Sequence, residues 1–210
     1  MRIFLFGVAA LMLAGCGSPS SAPGPTPSPT ARQLSWSQPP PMTINVHHNY
    51  SAVVETTDGT FTIRLLPKVA PITVNNFVFL ARHRFYAHIL FHRIIQDFMV
   101  QTGDPLGTGL GGPGYSIKDE KVTMPYTPGT VAMANTGAPN SGGSQFFIVT
   151  GPQASSLPPK YTIFGVVSSG MKVVRKIAAT PVTANPADNN ALEIPMVDIY
   201  MNRVTIRETP

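Results

Sequence analysis

An arginine and a glutamine stand out in a segment that otherwise has the pattern of a buried strand. The run from Leu90 to Gln101 is rich in apolar residues, and strand alternation places Arg93 and Gln101 on one face, together with Phe91 and Met99. Arginine is almost never buried without a partner, so Arg93 fits a plain core poorly. Gln101 fits a core poorly as well, so this face of the predicted strand is not explained by burial alone.

A second unusual stretch flanks a loop rich in glycine, asparagine and proline. Residues 133–135 precede this loop, and residues 143–147 follow it. Large apolar side chains in both stretches suit an ordinary hydrophobic core, and we adopt that interpretation for Phe146. For Phe98, Met99 and Phe147, a core role and a site role both stay open.

Other kinds of chemistry are poorly supported. Gly107, Gly109 and Gly112 have the spacing of a dinucleotide-binding loop, but no helical pattern begins after them to face a pyrophosphate. His88 and His92 lie four residues apart in a predicted strand, which is too far for one metal ion. No G-x-S-x-G motif of a hydrolase is present. We expect neither a cofactor nor a metal.

Composition excludes further classes of protein. The net charge is +5, and the basic residues are not clustered, so nucleic-acid binding is not indicated. One cysteine excludes an internal disulfide and every site that needs several cysteines. A hydrophobic content of 43% is sufficient for a sizeable core.

Strand patterns dominate the chain after residue 42. An Asp58-Gly59 pair between two β-rich runs is a strong hairpin signal. Helical spacing appears twice, and the last strand pattern slips once between Met201 and Val204. The predicted elements are strands at 51–57, 60–66, 90–101, 145–150, 161–167 and 197–206, and helices at 71–84 and 171–178. This pattern favours a barrel or sandwich with helices at its ends.

The N-terminal residues predict export. Arg2 precedes an apolar stretch at 3–13, which is too short to cross a bilayer and suits a signal peptide. It ends in Leu13-Ala14-Gly15-Cys16, which resembles the bacterial lipobox, in which the signal is removed before a cysteine that carries lipid. The alternative is an ordinary cleavage site beside an unrelated cysteine.

A proline-rich linker is predicted between this cysteine and the folded domain. Residues 17–41 combine proline with serine, threonine, glycine and alanine, a composition that favours extended conformations. The predicted organisation is a lipoprotein signal peptide at 1–15, a lipidated cysteine and linker at 16–41, and a folded domain at 42–210.

The two unusual stretches resemble the cyclophilin family of peptidyl-prolyl isomerases. The resemblance covers residues 50–207 and keeps the family's order. The matching segments are Phe91-His92-Arg93, Phe98-Met99-x-Gln101, Gly103-Asp104-Pro105, 107–115, Met133-Ala134-Asn135, 143–148 and Phe164-Gly165.

This resemblance implies a mainly β fold, a closed antiparallel β-barrel capped by two α-helices. It also implies isomerase activity on X-Pro bonds without a cofactor, with Arg93 as the catalytic residue. The substrate-binding residues that it implies are Phe98, Met99, Gln101, Ala134, Asn135, Gln145, Phe147, Leu157 and Tyr161.

The chain departs from the family pattern at a few positions. Thr102 replaces a glycine, and Tyr161 stands where the family often has histidine. Ser156 occupies the position at which animal members carry a tryptophan that contacts cyclosporin, and the loop around Ala138 is longer. None of these changes removes the implied catalytic set.

The signal and the resemblance together predict an exported, lipid-anchored isomerase that assists protein folding at the cell envelope. It would be a monomer whose partners are proline-containing polypeptides and, through Cys16, a bacterial membrane. A non-catalytic proline-peptide binder or holdase is the main alternative, and a structural surface lipoprotein is another. Arg93 favours catalysis, because binding alone needs only an apolar pocket.

Overall fold

A curled antiparallel sheet dominates residues 32–210, the part of the chain that the computed structural model describes. Two helices, α1 (Pro71–Arg82) and α2 (Met171–Ala178), accompany it, with a short 3-10 helix at Pro152–Ser156. The strands of the sheet are β1 (Asn49–Thr56), β2 (Gly59–Leu65), β3 (Ile89–Leu90), β4 (Arg93–Ile95), β5 (Met99–Thr102), β6 (Thr130–Met133), β7 (Phe146–Val149), β8 (Ile163–Ser169) and β11 (Tyr200–Thr209). A separate hairpin consists of β9 (Val182–Asn185) and β10 (Ala191–Pro195).

The order of strands explains how far the sheet curls. It runs β3-β11-β1-β2-β8-β6-β7-β5-β4, so the two edge strands are β3 and β4, which only Phe91 and His92 separate along the chain. Within residues 32–210 no strand pairing joins these edges. The prediction of a mainly β fold is confirmed. The sheet is a curled half-barrel, and the predicted closure of the barrel is not shown.

Two predicted features of the sheet, a hairpin and a break in strand alternation, are found at the predicted positions. The β1–β2 hairpin is present, although Thr56 pairs with Gly59, so that Thr57 and Asp58 form the connection. Strand β11 slips at Asn202, because Glu55 pairs with Arg203 whereas Thr56 pairs with Met201. That β-bulge is the predicted break in alternation.

Helix α1 closes one side of the main core. Its N-terminal backbone N–H groups at Ile72 and Thr73 donate to the carboxylate of Glu120 at 2.9 and 2.8 Å, and a negative charge suits the positive end of a helix dipole. Phe77 of the same helix packs edge-to-face on Phe146, with ring centroids 5.6 Å apart. The core interpretation of Phe146 therefore agrees with the structure.

The folded unit begins before residue 42. Residues 32–210 form one compact unit, and in it the backbone N–H of Trp36 donates to the carbonyl of Pro113 at 2.9 Å. The Trp36 ring packs 5.3 Å from that of Phe79 on α1, and the Asn75 amide donates to the carbonyl of Pro41. The last ten residues of the predicted linker thus belong to the domain, because the side chain of Trp36 packs against α1.

The predicted signal peptide at 1–15 and the cysteine at position 16 lie outside the described residues. Among residues 32–210, neither helix has the length and apolar character needed to cross a bilayer.

Candidate active site

Three strands line up Arg93, Gln101 and Phe147 in one row. Arg93 on β4 is directly opposite Gln101 on β5, and Gln101 is directly opposite Phe147 on β7. Residues that face each other across paired strands project from the same side of the sheet. The row therefore runs from a cation through an amide to an aromatic ring.

A chain of amide hydrogen bonds holds the polar end of this row. Arg93 Nη1 donates to Gln101 Oε1 at 3.5 Å, and Gln101 Nε2 donates to Gln145 Oε1 at 2.9 Å. Gln145 Nε2 in turn donates to the carbonyls of Gly109 and Gly111, each at 2.9 Å. Because both amides are anchored, the Gln101 carbonyl oxygen is directed at the guanidinium.

The apolar end of the row belongs to a second hydrophobic cluster, distinct from the main core. Met99 and Phe147 are buried in it, and Phe98 and Leu157 are partly buried against it. The ring of Tyr161 meets that of Phe147 edge-on at 5.5 Å. These side chains form an apolar recess that suits a small ring.

A buried aspartate shapes the glycine-rich loop beside the groove. The carboxylate of Asp104 accepts backbone N–H groups from Leu106 at 2.7 Å, Thr108 at 2.9 Å and Gly109 at 2.6 Å. Burial alone raises the pKa of Asp104, but hydrogen bonds from backbone N–H groups of this loop, that of Leu106 first, outweigh it, so the pKa lies below its usual value. Asp104 therefore stays ionised and keeps this loop folded against the groove.

One cavity of about 630 Å³ collects most of the residues that the sequence pointed to. Those that line it are Arg93, Phe98, Met99, Gln101, Ala134, Asn135, Phe147, Leu157 and Tyr161. Gln145 lines the adjoining cavity, which shares Gln101, Ala134 and Asn135 with the first. The structure thus places Arg93 and all nine predicted substrate-binding residues along two adjoining cavities, which we call the groove.

Comparison with known proteins agrees with this geometry. The family model "Cyclophilin type peptidyl-prolyl cis-trans isomerase/CLD" matches residues 51–203. The chain belongs to the cyclophilin family.

Individual relatives support the same assignment. Peptidyl-prolyl cis-trans isomerase B of Streptomyces anulatus is 45% identical over 177 residues, which cover 74% of this chain and 95% of the relative. Peptidyl-prolyl cis-trans isomerase CYP18-2 of Arabidopsis thaliana is 42% identical, covering 72% of this chain and 91% of the relative. The chain is accordingly a cyclophilin-type peptidyl-prolyl cis-trans isomerase.

Solved structures share the fold. A cyclophilin-type isomerase of Cryptosporidium parvum superposes with a TM-score of 0.66 at 30% identity, covering 77% of this chain and 99% of that one. The same protein in the presence of the dipeptide Ala-Pro gives a TM-score of 0.65 at 29% identity, covering 76% of this chain and 99% of that one.

The cyclophilin groove here has a further side that sequence reasoning missed, built by the β9–β10 hairpin. Its residues in the cavity are Asn185, Ala187, Glu193, Ile194 and Pro195. The available signal was the Asn189-Asn190 pair at the end of the five-residue connection 186–190, since both asparagines adopt positive φ (47° and 59°), a conformation that asparagine tolerates in turns.

An acidic residue of this hairpin meets Arg93. Arg93 Nε donates to the carboxylate of Glu193, whose side chain is only 3% exposed, whereas that of Arg93 is 33% exposed. Asn185 Nδ2 donates to the other carboxylate oxygen at 2.7 Å. Asp188 at the turn is half-exposed and its carboxylate lies 3.8 Å from Arg93 Nη2, beyond hydrogen-bond length.

His92 is a titratable side chain in the cavity wall, and its ring nitrogens are buried. Burial lowers the pKa of His92, and the nearby Asp104 carboxylate opposes that effect only in part. The imidazole is therefore biased toward its neutral form, which adds no positive charge beside Arg93.

Proposed function

We propose that this cyclophilin isomerises X-Pro bonds with Arg93 as the catalytic residue. Rotation about the peptide bond is resisted by a barrier of about 18–20 kcal/mol, because the nitrogen lone pair is conjugated with the carbonyl. Twisting the bond localises that lone pair on the proline nitrogen. A guanidinium N–H donates to it only in the twisted state, so the bond lowers the barrier without tightening ground-state binding.

The proline ring occupies the apolar recess next to Arg93. Phe98, Met99, Phe147 and Leu157 bound that recess, and exclusion of water there strengthens the guanidinium hydrogen bond. The polar residues Gln101, Asn135 and Gln145 bind the peptide backbone alongside. The mechanism transfers no proton and forms no covalent intermediate, so it needs no nucleophile.

One observation carries the assignment of Arg93: it lies in the same cross-strand row as Gln101 and Phe147. A protein that only binds proline peptides needs the apolar recess alone. It does not need the guanidinium of Arg93 on the strand next to the anchored amide of Gln101. The row therefore favours catalysis over a holdase that uses the same groove.

Isomerisation of a proline tetrapeptide by the wild type and by Arg93→Lys tests this assignment. Lysine keeps the charge but lacks the planar fork of donors, so we expect a large loss of kcat and a nearly unchanged peptide affinity. An Arg93→Lys protein with wild-type kcat would remove Arg93 from the mechanism.

We further propose that the enzyme acts at the bacterial cell envelope as a lipid-anchored monomer. The support is Leu13-Ala14-Gly15-Cys16 after an apolar stretch, followed by a proline-rich tether. More than one acyl chain is needed for stable anchoring, since a single chain binds a bilayer only marginally. Its clients are then exported polypeptides that contain proline.

The anchor is tested by mass spectrometry of the mature N-terminus. We expect acylated Cys16 in the wild type and loss of the protein from the membrane fraction in Cys16→Ser. An unmodified cysteine in the wild-type protein would refute the anchor and leave the isomerase assignment untouched.

A further inference from the structure

Glu193 lies in the groove at an irregularity of its strand. The β9–β10 pairing joins Leu192 to Ala184 and Ile194 to Thr183, so Glu193 has no partner in the ladder and forms a β-bulge. Bulges redirect a side chain out of the normal alternation and are frequent next to active sites. Here Leu192 is 65% exposed whereas Glu193 is 2% exposed, so the acidic side chain is buried and its apolar neighbour faces solvent.

Burial of this carboxylate requires compensation, which two donors provide. An ionised group loses much of its hydration when it is buried, and paired, hydrogen-bonded charges offset that loss. One oxygen of Glu193 accepts from Arg93 Nε, and the other accepts from Asn185 Nδ2 at 2.7 Å. Asn185 also accepts the backbone N–H of Ala187 through Oδ1 at 3.0 Å, which fixes the amide in the turn.

The edge of the guanidinium that Glu193 uses is informative. A guanidinium has one N–H on Nε and four on its two Nη atoms. Glu193 binds the Nε edge, and Nη1 contacts Gln101 from the sheet. The guanidinium plane is therefore held from two sides, with the remaining Nη N–H groups left to donate to a peptide.

We propose that Glu193 is a positioning residue that orients Arg93 for catalysis, with Asn185 holding Glu193 in place. This inference rests on the proposed catalytic role of Arg93. An arginine side chain has many rotamers, and a fixed donor direction removes the entropy loss of ordering it in the transition state. Because the carboxylate occupies Nε, it orients the guanidinium without blocking the Nη donors.

The test compares isomerisation by four full-length proteins: wild type, Glu193→Gln, Asn185→Ala and Arg93→Ala. Glu55→Gln is the matched control, since Glu55 forms a bidentate pair with Arg203 on β11 and lines none of the cavities beside Arg93. For each protein, kcat, KM, affinity for a proline peptide and the melting temperature are measured. The Arg93 Nε–H resonance, absent in Arg93→Ala, reports hydrogen bonding at that edge through its exchange with solvent.

We expect Glu193→Gln to lower kcat about tenfold while KM and peptide affinity change less than about twofold. A neutral acceptor makes a weaker bond than a carboxylate, so the Nε–H should exchange faster. Asn185→Ala should lower kcat in the same direction by a smaller factor, and Glu55→Gln should match the wild type.

Several results would overturn the proposal. An unchanged kcat in Glu193→Gln would show that Gln101 alone orients Arg93, and a raised kcat would show that the hairpin restrains the enzyme. An equal loss of kcat and peptide affinity would make Glu193 a structural residue of the groove. If Glu193→Gln does not fold, Asn185→Ala decides by the same criteria. Full activity in Arg93→Ala would instead refute the proposed catalytic role on which this inference rests.

Discussion

The groove has two sides that differ in how firmly the fold holds them. The sheet wall (Arg93, Phe98, Gln101, Phe147) lies on or next to strands paired into the nine-stranded sheet. The hairpin wall (Asn185, Asp188, Glu193) lies on two strands that pair only with each other and in the turn that joins them. A two-stranded hairpin alone is marginally stable, so its contacts with the sheet wall must help to hold it. This difference suggests that a side chain acting directly on the peptide is best placed on the more firmly held sheet wall, whereas a side chain that orients it can lie on the hairpin wall.

The largest expected effect is on the sheet wall, from Arg93→Ala. Loss of a charge-assisted hydrogen bond that forms only in the twisted state should raise the barrier by about 3 kcal/mol, which lowers kcat/KM roughly a hundredfold. Peptide affinity should change little because the apolar recess remains. Isomerisation rates and calorimetric peptide binding on the same folded variant check this, and a rate near wild type would contradict it.

Trp36→Ala tests the segment at 32–41, which packs against the domain but does not line the main cavity. The ring packs on Phe79 and Phe85 of the α1 region and is half-buried. We expect the free energy of unfolding to fall by about 2 kcal/mol, less than for a fully buried tryptophan. Activity at 25 °C should be retained. Urea unfolding measures the change, with Trp36→Phe as the conservative control; equal stability of Trp36→Ala and wild type would mean that the segment does not pack in solution.

Phe98→Ala should give the opposite kinetic signature to Arg93→Ala. The side chain is partly buried in the apolar recess, so its removal takes contact area from the proline ring while leaving the guanidinium in place. We expect peptide affinity to fall about tenfold, or about 1.4 kcal/mol, with kcat at saturation changed much less. A variant that loses kcat but keeps affinity would mean that Phe98 acts on the chemistry and not on binding.

The sheet wall could be predicted only in part. The expected single strand at 90–101 is wrong, because residues 96–98 form a turn and Arg93 on β4 pairs with Gln101 on β5 across a hairpin. Alternation identified both as polar residues of one face, but it did not predict that they are neighbours. The pairing of Gln101 with Phe147 joins residues far apart in sequence, and there the family resemblance supplied what periodicity cannot. Register of this kind depends on the whole sheet, which no local pattern encodes.

The hairpin wall and residues 32–41 escaped prediction for two different reasons. In Leu192-Glu193-Ile194 a strand pattern turns the two apolar residues inward and assigns Glu193 to solvent, whereas the structure buries Glu193 and exposes Leu192. Around Trp36 the composition suggests a linker. The backbone of Trp36 nevertheless packs against residues 113–114, where the missing side chain of Gly114 leaves room for it. A Cβ on Gly114 would lie 2.6 Å from the carbonyl oxygen of Trp36, and its φ of +87° also favours glycine.

A smaller effect is expected from pH, through His92. Its pKa is lowered in the folded state by burial, so below its ordinary pKa of 6.5 the unfolded chain binds a proton that the folded chain resists. Stability should therefore fall as the pH drops below about 6.5 toward the folded-state pKa. Arg93, Asp104 and Glu193 are the charged groups that act on this imidazole.

Comparison of His92→Asn with the wild type isolates that contribution. Urea unfolding between pH 7.5 and 5 should show a shallower loss of stability in His92→Asn, because asparagine does not titrate. Identical pH slopes for the two proteins would assign the acid sensitivity to other groups.

The smallest effect is expected at the exposed end of the hairpin wall, from Asp188→Asn. Its carboxylate lies 3.8 Å from Arg93 Nη2 and the side chain is 52% exposed, so water and salt screen the attraction. We expect kcat and KM each to change less than about twofold, and the small change to vanish at 0.5 M salt. Glu193→Gln measured in parallel sharpens the contrast, since the same charge is removed from a buried position on the same hairpin. If Asp188→Asn lowered kcat as much as Glu193→Gln does, Arg93 would respond to the net negative charge near the groove. The specific contact of Glu193 with Nε would then not be the cause.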